Sequence, residues 1–350
     1  MMEKMTADDV KRRAADLGFD LCGIAPVGAH RELSFMREWL ARGYAGEMYY
    51  LHRTADRRAD VRHVVPSART VICLATIYDT DRPYSTEIAD ASRALIARYA
   101  WGDDYHDVIQ RRMDALVEWM RQHSGSDFDA RAYVDTGPVQ ERVYAQHAGV
   151  GWIGRNTCLI NAEHGSWLFL SEIICSLPLE PDPPAVDQCG TCRLCLDACP
   201  TGALVEPYVL DSTQCLSYLT IELKGRIPPA QREAVANHAY GCDVCQEVCP
   251  WNAQPVDGNQ AARPWLPRAV FDAPTLAELW RTPDADLRRS LKGSAMSRAG
   301  LKRLRRNVAV CAGATGDADA LTALSGVDEP SCRDPLVAEH VAWALERAGG

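Results

Sequence analysis

No stretch of this 350-residue chain approaches the ~18 uninterrupted apolar residues that a membrane-crossing helix needs. The opening, MMEKMTADDVKRRAADLG, has amphipathic spacing and scattered charges. It lacks the apolar core and small-residue cleavage site of a secretory signal, so a cytoplasmic, non-membrane protein is expected. Two nucleotide signatures are also missing. No G-x-G-x-x-G follows a strand in a βαβ setting and no Walker A motif occurs, so neither a nicotinamide cofactor nor ATP is indicated. A composition of 47% hydrophobic and 24% charged residues excludes a disordered or fibrous chain. The length suits two or three domains.

Cysteine is what the chain has in excess. Of 14, eight lie between Cys189 and Cys249. The other six, Cys22, Cys73, Cys158, Cys175, Cys311 and Cys332, are scattered among apolar or helical neighbours and read as small buried hydrophobes. In a reducing cytosol clustered cysteines bind metal or do redox chemistry. The run Cys189-x2-Cys192-x2-Cys195-x3-Cys199-Pro200 is the bacterial ferredoxin spacing for [4Fe–4S] clusters, in which the fourth cysteine serves the other cluster. A half-copy follows, Cys242-x2-Cys245-x3-Cys249-Pro250, with Cys215 between. Crossing the two runs assigns Cys189, Cys192, Cys195 and Cys249 to one cluster, and Cys199, Cys215, Cys242 and Cys245 to the other. Zinc is the competing reading, but zinc motifs present isolated C-x2-C pairs. Clusters serving only as structure are a second alternative; sharing ligand loops, the two more naturally form a wire.

Around this module the pattern is mixed α/β (α+β). Val71–Ile77 has strand length and composition, Tyr105 to His123 has helical spacing, and Arg131–Val134 reads as a strand ending at Asp135-Thr136-Gly137-Pro138. A helix, the Gly-rich AGVGWIGRNTCLI and a strand at 167–174 follow, which suggests a sheet with helices packed on it. Four prolines in residues 178–184 read as a stiff linker. The expected division is an α/β domain at 1–180, a ferredoxin-like double-cluster module at 181–255 and a helical, HEAT-like segment at 270–350, with residues 253–265 as loop. The last segment holds two similar blocks, RAGLKRLRRNVAVCAGA and RDPLVAEHVAWALERAG.

Charge is uneven. Between Arg281 and Arg306 nine Lys/Arg face two Asp, a local +7 in a chain whose net charge is −9. Arg288, Arg289, Lys292, Arg298, Lys302, Arg303, Arg305 and Arg306 therefore read either as a polyanion-binding face or as a solvated helix face.

Five collinear strings carry a family likeness: Tyr133-Val-Asp135-Thr-Gly-Pro-Val-Gln140-Glu141-Arg142, Gly151-Trp-Ile-Gly154-Arg-Asn-Thr157, the cysteine run, Cys215-Leu-Ser217-Tyr-Leu-Thr-Ile-Glu222 and Tyr240-Gly241-Cys242-Asp243. Over essentially the whole length the chain resembles the epoxyqueuosine reductases, relatives of the reductive dehalogenases. The resemblance implies a cobalamin-dependent enzyme with two [4Fe–4S] clusters that converts epoxyqueuosine at the tRNA wobble position to queuosine. Its partners would be that tRNA and an unidentified electron donor, and it is expected to be a monomer. It implies Asp135 as proton donor, with a pKa raised by burial; the bland alternative is a turn-capping residue. It implies corrinoid contacts from Arg58, Gln140, Glu141, Arg142, Gly154, Thr157, Cys158, Asn161, Glu172, Ser217, Gly241 and Cys242. Arg57 competes with Arg58, and Glu141 with Arg142 also suits a surface helix pair. The histidine-on cobalamin pattern D-x-H-x-x-G starts at Asp104-Tyr105-His106 but fails at Ile109, which fits base-off binding. Tyr105 and His106 are placed either to reach substrate or simply to start a helix. A small-organohalide dehalogenase and a plain ferredoxin-type carrier are the remaining readings; the long N-terminal domain argues against a carrier.

Overall fold

A computed structural model describes residues 5–253 and 264–349. Most of the stretch expected as loop, 254–263, lies outside the described residues. Helix α1 (Ala7–Asp16) opens with a Thr6 capping box and leads into strand β1 (Leu21–Pro26). After β2 (Thr70–Ile77) comes the long helix α2 (Tyr105–His123), whose N-cap is Asp104. Strand β3 (Ala130–Tyr133), helix α3 (Glu141–His147) and strand β4 (Leu168–Cys175) complete the first region. The four strands form one sheet in the order β1-β2-β4-β3, antiparallel throughout.

Period-two alternation sends each strand's side chains to two different cores. From β2, Ile72 and Leu74 pack with Val10 and Ala14 of α1 and with Ile109, Met113, Leu116 and Met120 of α2. On the opposite face Val71, Cys73 and Ala75 pack with Val143, Tyr144 and Ala145 of α3. A strand covered on both faces is apolar at nearly every position, which is why 71–77 reads as an apolar run broken only at Thr76.

The proline-rich segment, expected as a stiff linker, is docked against the first region. Asp182 accepts from the Ile24 amide at 2.8 Å, its own amide donates to the Ile24 carbonyl, and Lys11 pairs with its carboxylate at 2.5 Å. It thereby closes the otherwise open edge of β1.

The cysteine-rich module places short helices α4 (Leu194–Ala198) and α5 (Val244–Glu247) against each other. Beyond it lie α6 (Asp284–Leu291), α7 (Gly300–Thr315) and α8 (Pro335–Gly349). The two similar sequence blocks become α7 and α8, packed closely. A Cβ on Gly313 would fall 2.8 Å from the Ala344 Cα, so only glycine lets the helices approach this far. The largest apolar cluster runs through all three regions, from Val10 through Leu219 and Tyr240 to Val308 and Ala344.

The basic segment differs from expectation. Arg305 and Arg306 are 1% and 0% exposed. Arg305 pairs with buried Asp284 and donates to the Thr282 carbonyl at 2.7 Å. Arg306 donates to the carbonyls of Leu219, Leu223 and Gly225, each at 2.7 Å. Arg303 donates to the Ile221 carbonyl at 2.6 Å. These side chains satisfy backbone oxygens inside the fold and do not form a polyanion-binding face. The reason is that α7 is buried on nearly all sides, so its arginines find carbonyl partners before they find water.

Candidate functional site

The Asp135 turn stands immediately after β3. The Thr136 amide reaches back to the Val134 carbonyl at 2.5 Å, with Asp135 between them at φ +55°. That tight, left-handed conformation is costly for a residue with a side chain and is characteristic of functional sites. The carboxylate does not cap its own turn. Its Oδ2 accepts from the Tyr105 hydroxyl at 3.0 Å and lies 3.5 Å from His106 Nε2. The first is a hydrogen bond; the second is an ion-pair contact, longer than a hydrogen bond. His106 is fixed from behind, its Nδ1 2.6 Å from Asp104 Oδ1, the same oxygen that caps α2.

The Asp135 side chain is 61% exposed, yet desolvation by the surrounding protein is the largest influence on its carboxyl. Together these describe an open-topped cleft. Desolvation pushes the pKa up but is outweighed by His106, Tyr105 and the charge of Arg298, which hold the carboxyl below the ordinary range. This corrects the expectation of a raised value. His106 shows the reverse balance: desolvation lowers it, but the Asp104 and Asp135 carboxylates raise it to about 9. In the resting site the proton therefore sits on the imidazole and the charge on Asp135.

Two further carboxyl groups face the cleft region. Glu172 lies on β4, opposite Tyr133 of β3 and Cys73 of β2. It is 0% exposed, with neither carboxylate oxygen hydrogen-bonded. Burial, then the charges of Glu141 and Asp135, push its pKa well up. Glu141, at the start of α3, is pushed up to about 8 by burial and by Asp135, against the pull of Arg142 and Arg58. A buried carboxyl without partners is a cost the fold alone does not explain. It suits a neutral, proton-bearing acid or a ligand rich in amide donors.

The remaining sequence-derived residues fall into groups. Arg58 turns inward, donating to the Val139 carbonyl at 2.7 Å, while Arg57 is exposed. Gln140 donates to the Arg58 carbonyl at 3.0 Å, so these two form one corner. Arg142 is exposed and reaches the Thr157 loop, where Thr157 has φ +67°. A Cβ at Gly154 would meet Ile160 at 2.4 Å. Cys158 is drawn below its usual pKa by a hydrogen bond with Cys245, which ties this loop to the cysteine module. Ser217 lies 3.5 Å from the Cys242 carbonyl, beside Gly241 at φ +71°. Asn161 stands apart: its amide donates to the Val150 carbonyl, and its oxygen takes the Glu163 and His164 amides.

The eight module cysteines sort into two neighbourhoods. Cys195 is influenced by Cys189 and Cys192, and Cys249 by Cys189 and Cys195. Separately, Cys215 senses Cys199, Cys242 senses Cys215 and Cys199, and Cys245 senses Cys242 and Cys215. Burial is the largest influence on most of these thiols; for Cys245 it is the hydrogen bond with Cys158. Among the described residues no three ligating side chains converge tightly enough for a single metal ion. A cubane, which spreads its thiolates over separate corners, needs no such convergence. The Trp152 indole donates to Cys189 Sγ at 3.4 Å, the kind of contact that tunes a cluster's potential.

Sequence reasoning named Asp104 only as the start of a failed cobalamin pattern and did not see that D-x-H spacing across a helix start lets Asp104 hold the His106 imidazole. It also missed Asp243, whose carboxylate accepts from the buried Arg98 amide at 2.6 Å beside Cys242.

Comparisons with known proteins show what the chain as a whole is similar to. The family described as "4Fe-4S double cluster binding domain" matches residues 188–252. The family described as "Epoxyqueuosine reductase QueG, DUF1730" matches residues 58–136. An epoxyqueuosine reductase from Xanthomonas campestris is 39% identical over 346 residues, covering 97% of this chain and 95% of that protein. A crystal structure of epoxyqueuosine reductase with an epoxyqueuosine-modified tRNA-Tyr stem loop superposes with a TM-score of 0.84 at 29% identity, covering 98% of this chain and 90% of that one. A Bacillus subtilis epoxyqueuosine reductase, described with its aspartate-bearing catalytic loop swung out of the active site, gives 0.83 at 28% identity, with the same coverage. No helix among the described residues is long and apolar enough to cross a membrane.

Proposed function

The chain belongs to the epoxyqueuosine reductase family, and from that premise we propose that it reduces epoxyqueuosine in the tRNA anticodon to queuosine in the cytoplasm. The observation that carries the reading is the Asp135 carboxylate, held in an open cleft on a strained turn by Tyr105 and His106. Removing an epoxide oxygen as water consumes two electrons and two protons. Opening the ring places negative charge on oxygen, and an acid positioned there lowers the barrier. Asp135 is that acid. Tyr105, whose phenol burial keeps protonated, fixes Oδ2 and leaves Oδ1 outside that bond.

Cobalamin suits the pocket. Unpartnered Glu172, the raised acid Glu141 and inward-turned Arg58 offer hydrogen bonds to a ligand rimmed with amides. Such a corrinoid would supply low-valent cobalt, a strong nucleophile and reductant, next to the acid. Gln140, Arg142, Thr157 and Ser217, with the Gly241-Cys242 backbone, complete its holding set. The two cysteine sets would hold two [4Fe–4S] clusters, which would supply one-electron transfer from an external donor.

On the tRNA side the phosphate contacts come from the side chains left exposed. Arg288 and Arg289 are 61% and 78% exposed; Lys292 and Lys302 join them. Arg288, Lys302 and Arg333 also line an open cleft of about 440 Å³, suited to a phosphate. A splayed anticodon base then enters the Asp135 cleft.

The test is to reconstitute the protein anaerobically with iron, sulfide and cobalamin, add a strong reductant and epoxyqueuosine-bearing tRNA, and weigh the released nucleosides. A nucleoside lighter by one oxygen atom is expected; unchanged epoxyqueuosine with both cofactors bound would contradict the reading.

A further inference from the structure

The reaction proposed above needs two protons, and a carboxyl group delivers one. Whatever recharges Asp135 within a turnover must reach its carboxylate while a bound base fills the open cleft and displaces water from it. Tyr105 and His106 both address Oδ2, and they are not equivalent. A phenol that stays protonated can orient the carboxylate but does not readily give up its proton. His106 is built differently. Its Nδ1 is locked 2.6 Å from Asp104 Oδ1, which turns Nε2 toward Asp135 at 3.5 Å, and its ring stacks on Tyr105 with centroids 4.0 Å apart. The imidazole can neither rotate nor tip away without breaking the α2 cap.

We propose that the Asp104–His106 pair is a proton-holding device that recharges Asp135 during each turnover, so that one carboxyl group serves both protonation steps. The inference rests on the reading of Asp135 as the acid. The order of events balances. Asp135, charged from His106, gives the first proton to the oxygen as the C–O bond opens. It then takes the proton of a re-protonated His106 and gives it up as that oxygen leaves as water. The two electrons come from the external one-electron donor through the clusters, and both protons come finally from solvent by way of Nε2.

The charged surroundings agree. Asp104 and Asp135 face His106 from its own helix start and from the turn after β3. Arg298 acts on Asp135 from the C-terminal segment, and Arg268, beside Asp103, acts on Asp104. Burial holds Glu141 and Glu172 toward their neutral forms, so the negative charge facing the ring comes from Asp104 and Asp135. The two carboxylates nearest the ring keep it protonated to about pH 9, so it is loaded at neutral pH. At 3.5 Å the contact is poised rather than closed, and such distances shorten when substrate fills a site.

His106 is thus a positioning and proton-supplying residue, and its test must separate this from a structural role. The experiment measures kcat and tRNA affinity against pH for cofactor-loaded wild type, His106→Gln and Asp104→Asn. Wild type should lose kcat as pH rises past about 9, because the protonated form is the active one. His106→Gln should bind tRNA as wild type does, fall at least about 100-fold in kcat, lose that basic limb and regain rate with added imidazole. Asp104→Asn should keep the limb but move it to lower pH. A His106→Gln protein with wild-type rate and pH profile overturns the inference alone. So does a loss of rate that is equal at every pH, unrescued and matched by lost tRNA affinity. No queuosine from wild type would instead overturn the reading of Asp135 as the acid, and this inference with it.

Discussion

Two parts of the molecule bury charge, and they do so in opposite ways. In the helices α6 and α7, Arg305, Arg306 and Asp284 have almost no solvent exposure, and each is bonded to carbonyls, hydroxyls or an opposite charge. Around the Asp135 turn, Glu172 has no partner, Glu141 is held away from its ordinary ionisation, and His106 sits between two carboxylates. Fully satisfied charges fix a fold and resist change. Charges left in conflict await a ligand or a proton, and they mark chemistry.

Breaking the first arrangement should have the largest effect. Arg305→Met strands Asp284 in the interior, and a loss of about 3–5 kcal/mol in unfolding free energy is expected by denaturant titration. If stability falls by less than about 1 kcal/mol, the pair is not structural and Arg305 becomes available for tRNA.

The second arrangement predicts the opposite sign. Folded Glu141 keeps its proton to about pH 8, whereas an unfolded chain releases it near 4.5. Between those values the folded state binds more protons, so stability of the cofactor-free protein should fall as pH rises. Glu172 acts in the same direction. Glu141→Gln should flatten that slope and raise stability at pH 8 by about 1–3 kcal/mol. A slope that survives the substitution would remove Glu141 from the explanation.

The smallest effect belongs to the exposed cations. Arg289→Glu should leave the melting temperature unchanged, weaken tRNA binding several-fold at low salt and reduce the salt slope by about 1 per charge lost. An unchanged slope would place the tRNA elsewhere.

The contrast also shows what could be read in advance. Helix α2 was legible because Val108, Met113, Leu116, Val117 and Met120 recur at helical spacing; the structure buries Ile109 in that stripe as well and adds the Asp104 cap. The double-cluster module was legible because the spacing within each cysteine run is local. The fate of Arg305 and Arg306 was not: on a sequence, an arginine-rich helix reads as solvated, and it takes residues 219–225 to draw Arg306 inward and residues 280–284 with Ser331 to draw in Arg305. Glu172 was singled out only through family likeness, since one polar residue in LFLSEIIC says nothing about which face it takes. The direction of the Asp135 shift depended on His106 and Tyr105 at the start of α2 and on Arg298 of the C-terminal segment, residues brought to it from other elements.

One measurement bears most directly on the claim that the conflicted charges are the chemical ones. Asp135→Asn, matched to wild type in iron and cobalamin content and in tRNA binding, is given epoxyqueuosine-bearing tRNA and reductant, and the nucleosides are weighed. Queuosine formation reduced by about 100-fold or more, with binding intact, is the predicted result. Queuosine at the wild-type rate would contradict it.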